Sequence, residues 1–233
     1  MEPRSAWVAR KLLTGERGSP DVFALFSRES RERRKVFSRI HDAMAWGPCE
    51  SRSGPGSTRA RAASFLPDLS TLIRRLQVIT LLDAPCGDFN WAGPLADAVE
   101  HYIGVDIVPA LIATNRASHA SPRRTFLCRD IVRQHLPAAD LVICRDALVH
   151  LTTAEIFAAL ANLRRTGAKY LIATTFVGDR ANEEIATGEW RPLNLQRPPF
   201  SLPAPFELVD ERCPHPGMED KRFGVWRLAE LPS

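Results

Sequence analysis

The chain has 233 residues, 45% hydrophobic and 25% charged, which is enough for one sizeable domain with a full core. It has no apolar run long enough to cross a bilayer, and its start, Met1-Glu2-Pro3-Arg4, lacks an apolar signal region. A membrane span and a secretory leader are therefore not expected, and a cytoplasmic location is. The net charge of +4 is uneven, with 15 Lys/Arg against 8 Asp/Glu in residues 1–75 and 16 against 19 in the remainder.

A basic segment of this kind serves nucleic acid, an acidic partner, or simply the solvated faces of helices. No aromatic residues interleave with the basic run 31–35, as a single-strand binding surface needs. The five cysteines form no C-x-x-C pair, so neither a zinc site nor any other metal is expected.

Residues 1–19 hold Gly15, Gly18 and Ser19 and are expected to pack loosely. From Pro20 the apolar residues Val22, Phe23, Leu25, Phe26, Val36, Phe37 and Ile40 approximate a helical stripe. The polar interval 27–35 leaves two shorter helices open. Residues 46–57 are dominated by turn formers and read as a loop. The loop carries Glu50 and Arg52, and Thr58 offers an N-cap to a helix over 58–76. Phe65, Leu69, Leu72, Ile73 and Leu76 form the inner face of that helix, and Pro67 is placed to divide it.

Val78-Ile79-Thr80-Leu81-Leu82 reads as a buried parallel strand that ends in Asp83. The turn Ala84-Pro85-Cys86-Gly87-Asp88-Phe89-Asn90-Trp91 follows. A short crossover helix over 90–99 comes next, with Asp88 or Asn90 as its cap and Pro94 near its start. The second strand, Tyr102-Ile103-Gly104-Val105-Asp106, again ends in an acid, 23 positions after the first. Dinucleotide folds place a ribose-binding acid about 20 residues past the glycine turn. Here, however, G-x-G-x-x-G is absent. Pro85 has no N–H, and Phe89 is too bulky for close phosphate approach. A cofactor without phosphate fits such a turn.

Pro109 opens a helix with Leu111 and Ile112 inward, and strands follow at 124–128, 141–144 and 170–175. Between the last two, a helix over 152–165 is capped by Thr152 or Thr153 and stopped by Gly167. Residues 176–205 form a long segment with only a brief helical stretch near 182–185, and long segments of this kind tend to be functional. Trp190, Arg191 and Asn194 are its candidate substrate contacts. Two final strands, near 206–213 and 221–228, form a hairpin.

The turn at 81–91 resembles the first motif of class I, Rossmann-like S-adenosylmethionine (SAM)-dependent methyltransferases, and Gly104-Val105-Asp106 resembles the second. The resemblance continues through Phe126-Leu127-Cys128-Arg129-Asp130-Ile131 and 139–146 and covers roughly residues 76–228. Pro85 and Phe89 depart from the family's glycine-rich pattern. The resemblance implies an α/β fold with a seven-stranded, mostly parallel sheet in the order 3-2-1-4-5-7-6, the last strand antiparallel. Residues 1–57 would then be a helical extension and lid loop, and 58–233 the methyltransferase domain.

The resemblance also implies SAM as cofactor. Asp83, Pro85, Gly87, Asp88, Phe89 and Trp91 would form the turn around it. Asp106 and Ile107 would meet the ribose, and Asp130 would accept from the adenine amino group while Ile131 packs on the ring. Arg145 joins the cofactor set, and Arg52 is placed to pair with the methionine carboxylate. Asp146 and His150, four residues apart, are the candidate catalytic pair. They would share a face on one helical turn, with His150 as base and Asp146 orienting it or holding the acceptor. The alternative for Asp146 is an ion pair with Arg145. The expected acceptor is a small molecule, methylated at a hydroxyl of a saccharide or metabolite. RNA or protein methylation through the basic segment, and a non-catalytic SAM-binding module, are the rivals.

Overall fold

A computed structural model of the chain describes residues 27–47 and 49–232. The expected helical start over 20–26 lies outside the described residues. Helix α1 (Arg28–Asp42) runs straight through the polar interval. Ser27 caps it, and Ser30 and Arg33 are buried, so its polar face is an inner face. A single 3-10 turn, Pro55–Ser57, breaks the following loop. Thr58 then caps α2 (Arg59–Ala62) by accepting from the Arg61 amide at 3.2 Å. Pro67 sits in the first turn of α3 (Leu66–Arg75), so the division expected there is real.

The strands are β1 (Thr80–Asp83), β2 (His101–Asp106), β3 (Arg124–Cys128), β4 (Leu141–Cys144), β5 (Tyr170–Phe176), β6 (Glu207–Asp210) and β7 (Lys221–Arg227). They form one sheet in the order β3-β2-β1-β4-β5-β7-β6. The first five are parallel, and β7 runs antiparallel to both its neighbours. Helices α4 (Gly93–Asp97), α5 (Pro109–His119) and α6 (Thr153–Arg164) fill the crossovers. Thr152 and Glu155 make a reciprocal capping box at the start of α6.

Alternation along the strands builds two cores. Leu82, Ile103, Val105, Val142 and Leu171 pack on one face with Ile156 and Leu163 of α6. Leu81, Tyr102, Ile143 and Ile172 pack on the other with Leu69, Leu72 and Ile73 of α3. Each fully buried aliphatic side chain contributes about 1.5–3 kcal/mol, so helices on both faces hold the parallel strands firmly. Gly104 has a packing reason, because a Cβ there would stand 2.8 Å from the Phe126 ring and 2.9 Å from Cys86 Sγ.

Two local expectations fail. Neither Asp88 nor Asn90 caps α4, which begins at Gly93 after Ala92 with no side-chain cap. Residues 182–185 are not helical. Asn182 instead pins that segment flat, donating to the Asn194 and Pro198 carbonyls at 2.9 Å and accepting from the Asn194 amide at 2.8 Å. Among the described residues no helix is long and apolar enough to cross a membrane.

Candidate functional site

The carboxyl ends of β1, β2 and β4 open into a cavity of about 390 Å³, where ligands bind in open α/β sheets. Pro85, Gly87 and Trp91 supply its floor from the turn after β1. Asp106 and Ile107 line it from the end of β2, and Asp130 and Ile131 from the end of β3. Arg145, Asp146 and His150 enter from the turn after β4, while Arg52 and Trp190 come from the two long loops.

Asp106 is held by its own turn. Its oxygens accept from the Gly87 amide at 3.1 Å and the Val108 amide at 2.9 Å. Burial lifts its pKa to about 6 against the pull of these backbone donors. Asp106 lines the cavity, with Ile107 and Val108 beside it. A carboxylate flanked by aliphatic side chains, with one glycine and a proline in the adjoining turn, suits ribose hydroxyls and an adenine ring. It does not suit a pyrophosphate. The residues present therefore fit a phosphate-free adenosine.

Five of the residues expected at the site do not line the cavity. Asp83 is buried beneath it, where its Oδ2 accepts from the Tyr102 hydroxyl at 2.6 Å and burial lifts its pKa to about 7. Phe89 turns inward with φ +58° and packs on Tyr102 and Phe126 at centroid distances of 5.1 and 5.2 Å. Asp88 ties the loop over 51–53 to the turn after β1. It accepts from the Arg52 amide at 2.6 Å and from the Ser51 and Ser53 hydroxyls at 3.1 and 3.4 Å. Gly87 leaves room for this, since a Cβ on it would meet Ser53 Oγ at 2.1 Å. Arg191 is buried and donates to the Val149 carbonyl at 3.2 Å. Asn194 braces its own loop, donating to the Gly178 carbonyl at 3.1 Å.

Asp130 lines the cavity but is not free to meet an adenine amino group. Its Oδ2 accepts from Ser30 Oγ at 2.5 Å and from Arg33 Nη2 at 2.8 Å, and its Oδ1 accepts from the Val132 amide at 2.9 Å. Arg33 also holds Glu155 at 2.6 Å, so α1 is fastened across this end of the cleft.

The expected pairing of Asp146 with His150 is also revised. Asp146 has φ +50°, and the 3-10 turn Leu148–His150 starts only beyond it, so the two do not share a helical turn. Lys221 Nζ holds both oxygens of Asp146, at 2.7 and 2.8 Å, and Arg145 Nη2 lies at 3.3 Å. Burial opposes ionisation of Asp146, but Lys221 and Arg145 outweigh it and keep its pKa below the ordinary range. His150 is oriented by a different group. Its Nδ1 lies 2.8 Å from the Glu189 carbonyl, which can only accept. Nδ1 therefore carries the proton, and Nε2 keeps its lone pair. Trp46 packs on the ring at 5.1 Å. Burial lowers the His150 pKa, although the Glu189 bond and Asp146 push the other way.

Sequence reasoning missed Ser30, Arg33, Arg61, Glu211 and Lys221. Glu211 is fully buried and accepts from Arg145 Nη2 at 2.5 Å. Its one visible signal is a charged residue directly after a strand.

Residues 81–168 match a family profile described as a methyltransferase domain. The magnesium protoporphyrin IX methyltransferase of Synechocystis PCC 6803 with bound SAM superposes with a TM-score of 0.52 at 15% identity, covering 86% of this chain and 97% of that one. Human N-acetylserotonin methyltransferase in complex with SAM gives 0.52 at 14% identity, over 96% of this chain and 67% of that one. The N-methyltransferase NodS of Bradyrhizobium japonicum WM9 gives 0.50 at 17%, over 73% and 98%. At these identities the likeness is one of fold. No protein of curated function matches the sequence.

Proposed function

We propose that this chain, which has the class I methyltransferase fold and a methyltransferase domain over residues 81–168, transfers a methyl group from SAM to a hydroxyl of a small molecule. The observation that carries the reading is the cleft itself. It brings Asp106, with Ile107 and Ile131, and a neutral, tautomer-fixed His150 into one cavity.

When bound, the cofactor supplies an electrophilic methyl group on a sulfonium. Asp106 would hold the ribose hydroxyls, Ile107 and Ile131 would flank the adenine, and Arg52 would meet the methionine carboxylate. His150 Nε2 takes the proton of the acceptor hydroxyl. The imidazolium so formed is favoured by the carboxylate of Asp146, which already acts on His150 electrostatically. Trp46 and Trp190 wall the acceptor side, where they exclude water and restrict its approach. Within the expected extension and lid loop over 1–57, the described residues 27–47 and 49–57 form a fixed cover over the cleft, held there by the ties of α1 to Asp130 and Glu155. The same ties weigh against a nucleic-acid role for this segment, because Arg33 is spent on internal pairing.

Two measurements test the reading. S-adenosylhomocysteine should bind by calorimetry while NAD does not. Cell extract incubated with the protein and radiolabelled SAM should yield a labelled small molecule. Label appearing only in RNA or protein, or no binding of S-adenosylhomocysteine, would overturn it.

A further inference from the structure

The charges at the β7 end of the cleft do not cancel. Arg61 of α2, Arg145 after β4 and Lys221 of β7 converge on Glu211 and Asp146. Glu211 Oε1 lies 2.5 Å from Arg145 Nη2, 3.2 Å from Lys221 Nζ and 3.7 Å from Arg61 Nη2. The three cationic side chains are 8%, 2% and 10% exposed, in the order Arg61, Arg145, Lys221. Three positive charges therefore face two carboxylates in a largely dry corner. Asp83 also acts on Arg145, but burial lifts its pKa to about 7, so it supplies only part of a charge at neutral pH.

Arg61, Arg145 and Lys221 all line the cavity, whereas Glu211 lies behind it. Arg61 Nη2 is buried without a hydrogen-bond partner. A buried cation left short of a counter-charge is destabilising, so a ligand that brings net negative charge gains there. The proposed cofactor brings no net negative charge. Its sulfonium and ammonium against a single carboxylate give a net charge of +1, which adds to the excess.

We propose that the methyl acceptor is itself an acid, whose carboxylate or phosphate lodges against Arg61 and Lys221 while its hydroxyl is presented to His150. Trp46, Trp190 and Met218 line the same cavity and give the body of the acceptor an apolar bed. This inference rests on the methyl-transfer reading and deepens it by naming the substrate class. The shared chemistry is an anion held by guanidinium and ammonium, and the rival source of that anion is the methionine carboxylate of the cofactor.

The test uses the full chain and calorimetry. S-adenosylhomocysteine is titrated first, which tests methyl transfer alone. With it saturating, 4-hydroxybenzoate is compared with 4-hydroxybenzamide, a pair equal in size and differing in charge. The acid should bind at least about tenfold tighter. Arg61→Gln should bring the two within about twofold, and Arg61→Lys should keep most of the preference. Equal binding of acid and amide beside S-adenosylhomocysteine, or binding of neither, overturns the inference and leaves the cofactor reading intact. Competition between the acid and S-adenosylhomocysteine also overturns it and assigns the corner to the cofactor's own carboxylate. Failure of S-adenosylhomocysteine to bind removes both.

Discussion

Arg33 Nη2 and Asp130 Oδ2 lie 2.8 Å apart in a buried ion pair that joins α1 to the end of β3. The same guanidinium reaches Glu155 at 2.6 Å, so one side chain closes α1 over two acids, one after β3 and one in the first turn of α6. Desolvation alone would lower the pKa of Arg33, but the two carboxylates outweigh it and the guanidinium stays charged.

Removing this cation alone strands a buried carboxylate. Arg33→Met should therefore cost about 3–5 kcal/mol. Adding Asp130→Asn should restore at least about 1 kcal/mol of that, because the two sites are directly coupled. Urea unfolding of the two single variants and the double variant checks both figures. Additive losses would show that the pair carries no coupling.

Asp106→Ala should weaken S-adenosylhomocysteine binding about tenfold or more, since hydrogen bonds to a charged group contribute about 1.5–3 kcal/mol. The pH dependence has a definite sign. Only ionised Asp106 accepts from both hydroxyls, and its pKa in the free protein is raised to about 6. Affinity should be full above that value and fall as pH drops through it. The same elevation means that ionised Asp106 is a stability cost, absent below the ordinary carboxylate pKa and growing as pH rises to about 6. Calorimetry from pH 5 to 8 on the native chain and on Asp106→Asn separates the two effects, because the variant should show a flat profile.

His150→Ala should lower turnover about 10²–10⁴-fold, the usual contribution of a positioned base, and leave S-adenosylhomocysteine affinity within about twofold. The acidic limb of kcat/KM should titrate below the ordinary histidine value, because burial lowers the pKa of this imidazole. Activity should thus be constant from pH 7 upward and decline only in more acidic solution. Full activity in the alanine variant would mean that alignment alone drives the transfer.

Gly104→Ala should destabilise the fold by about 1–3 kcal/mol, since its methyl group meets the Phe126 ring and Cys86 Sγ inside contact distance. Thermal unfolding checks this. Phe126→Leu in the same chain should recover part of the loss by yielding the space.

The sheet was legible because its signals are local. Runs such as Leu141-Val142-Ile143-Cys144 are short, apolar and bounded by turn formers, and all seven strands lie where the pattern put them. Asp106 was legible for the same reason, being an acid directly after such a run. The charged corner was not legible. Arg145 and Glu211 are 66 positions apart and Arg33 and Asp130 are 97 apart, so no window of sequence holds both partners. The Asp146–His150 spacing misled because it assumed a helical turn, whereas the backbone enters the left-handed region at Asp146 and re-aims its carboxylate toward Lys221. Phe89 misled in a related way. Its position in the turn was read correctly, but its positive φ sends the ring into the core.

The bonds that Asp88 accepts from three consecutive residues, Ser51, Arg52 and Ser53, make the front rim of the pocket a fixture rather than a flap. A nucleoside-sized guest must arrive past another rim or wait until all three anchors let go together. Its exchange would then be slow and steeply temperature-dependent even at modest affinity. A loosening substitution such as Asp88→Ala would shorten the guest's residence time far more than it lowers its equilibrium occupancy.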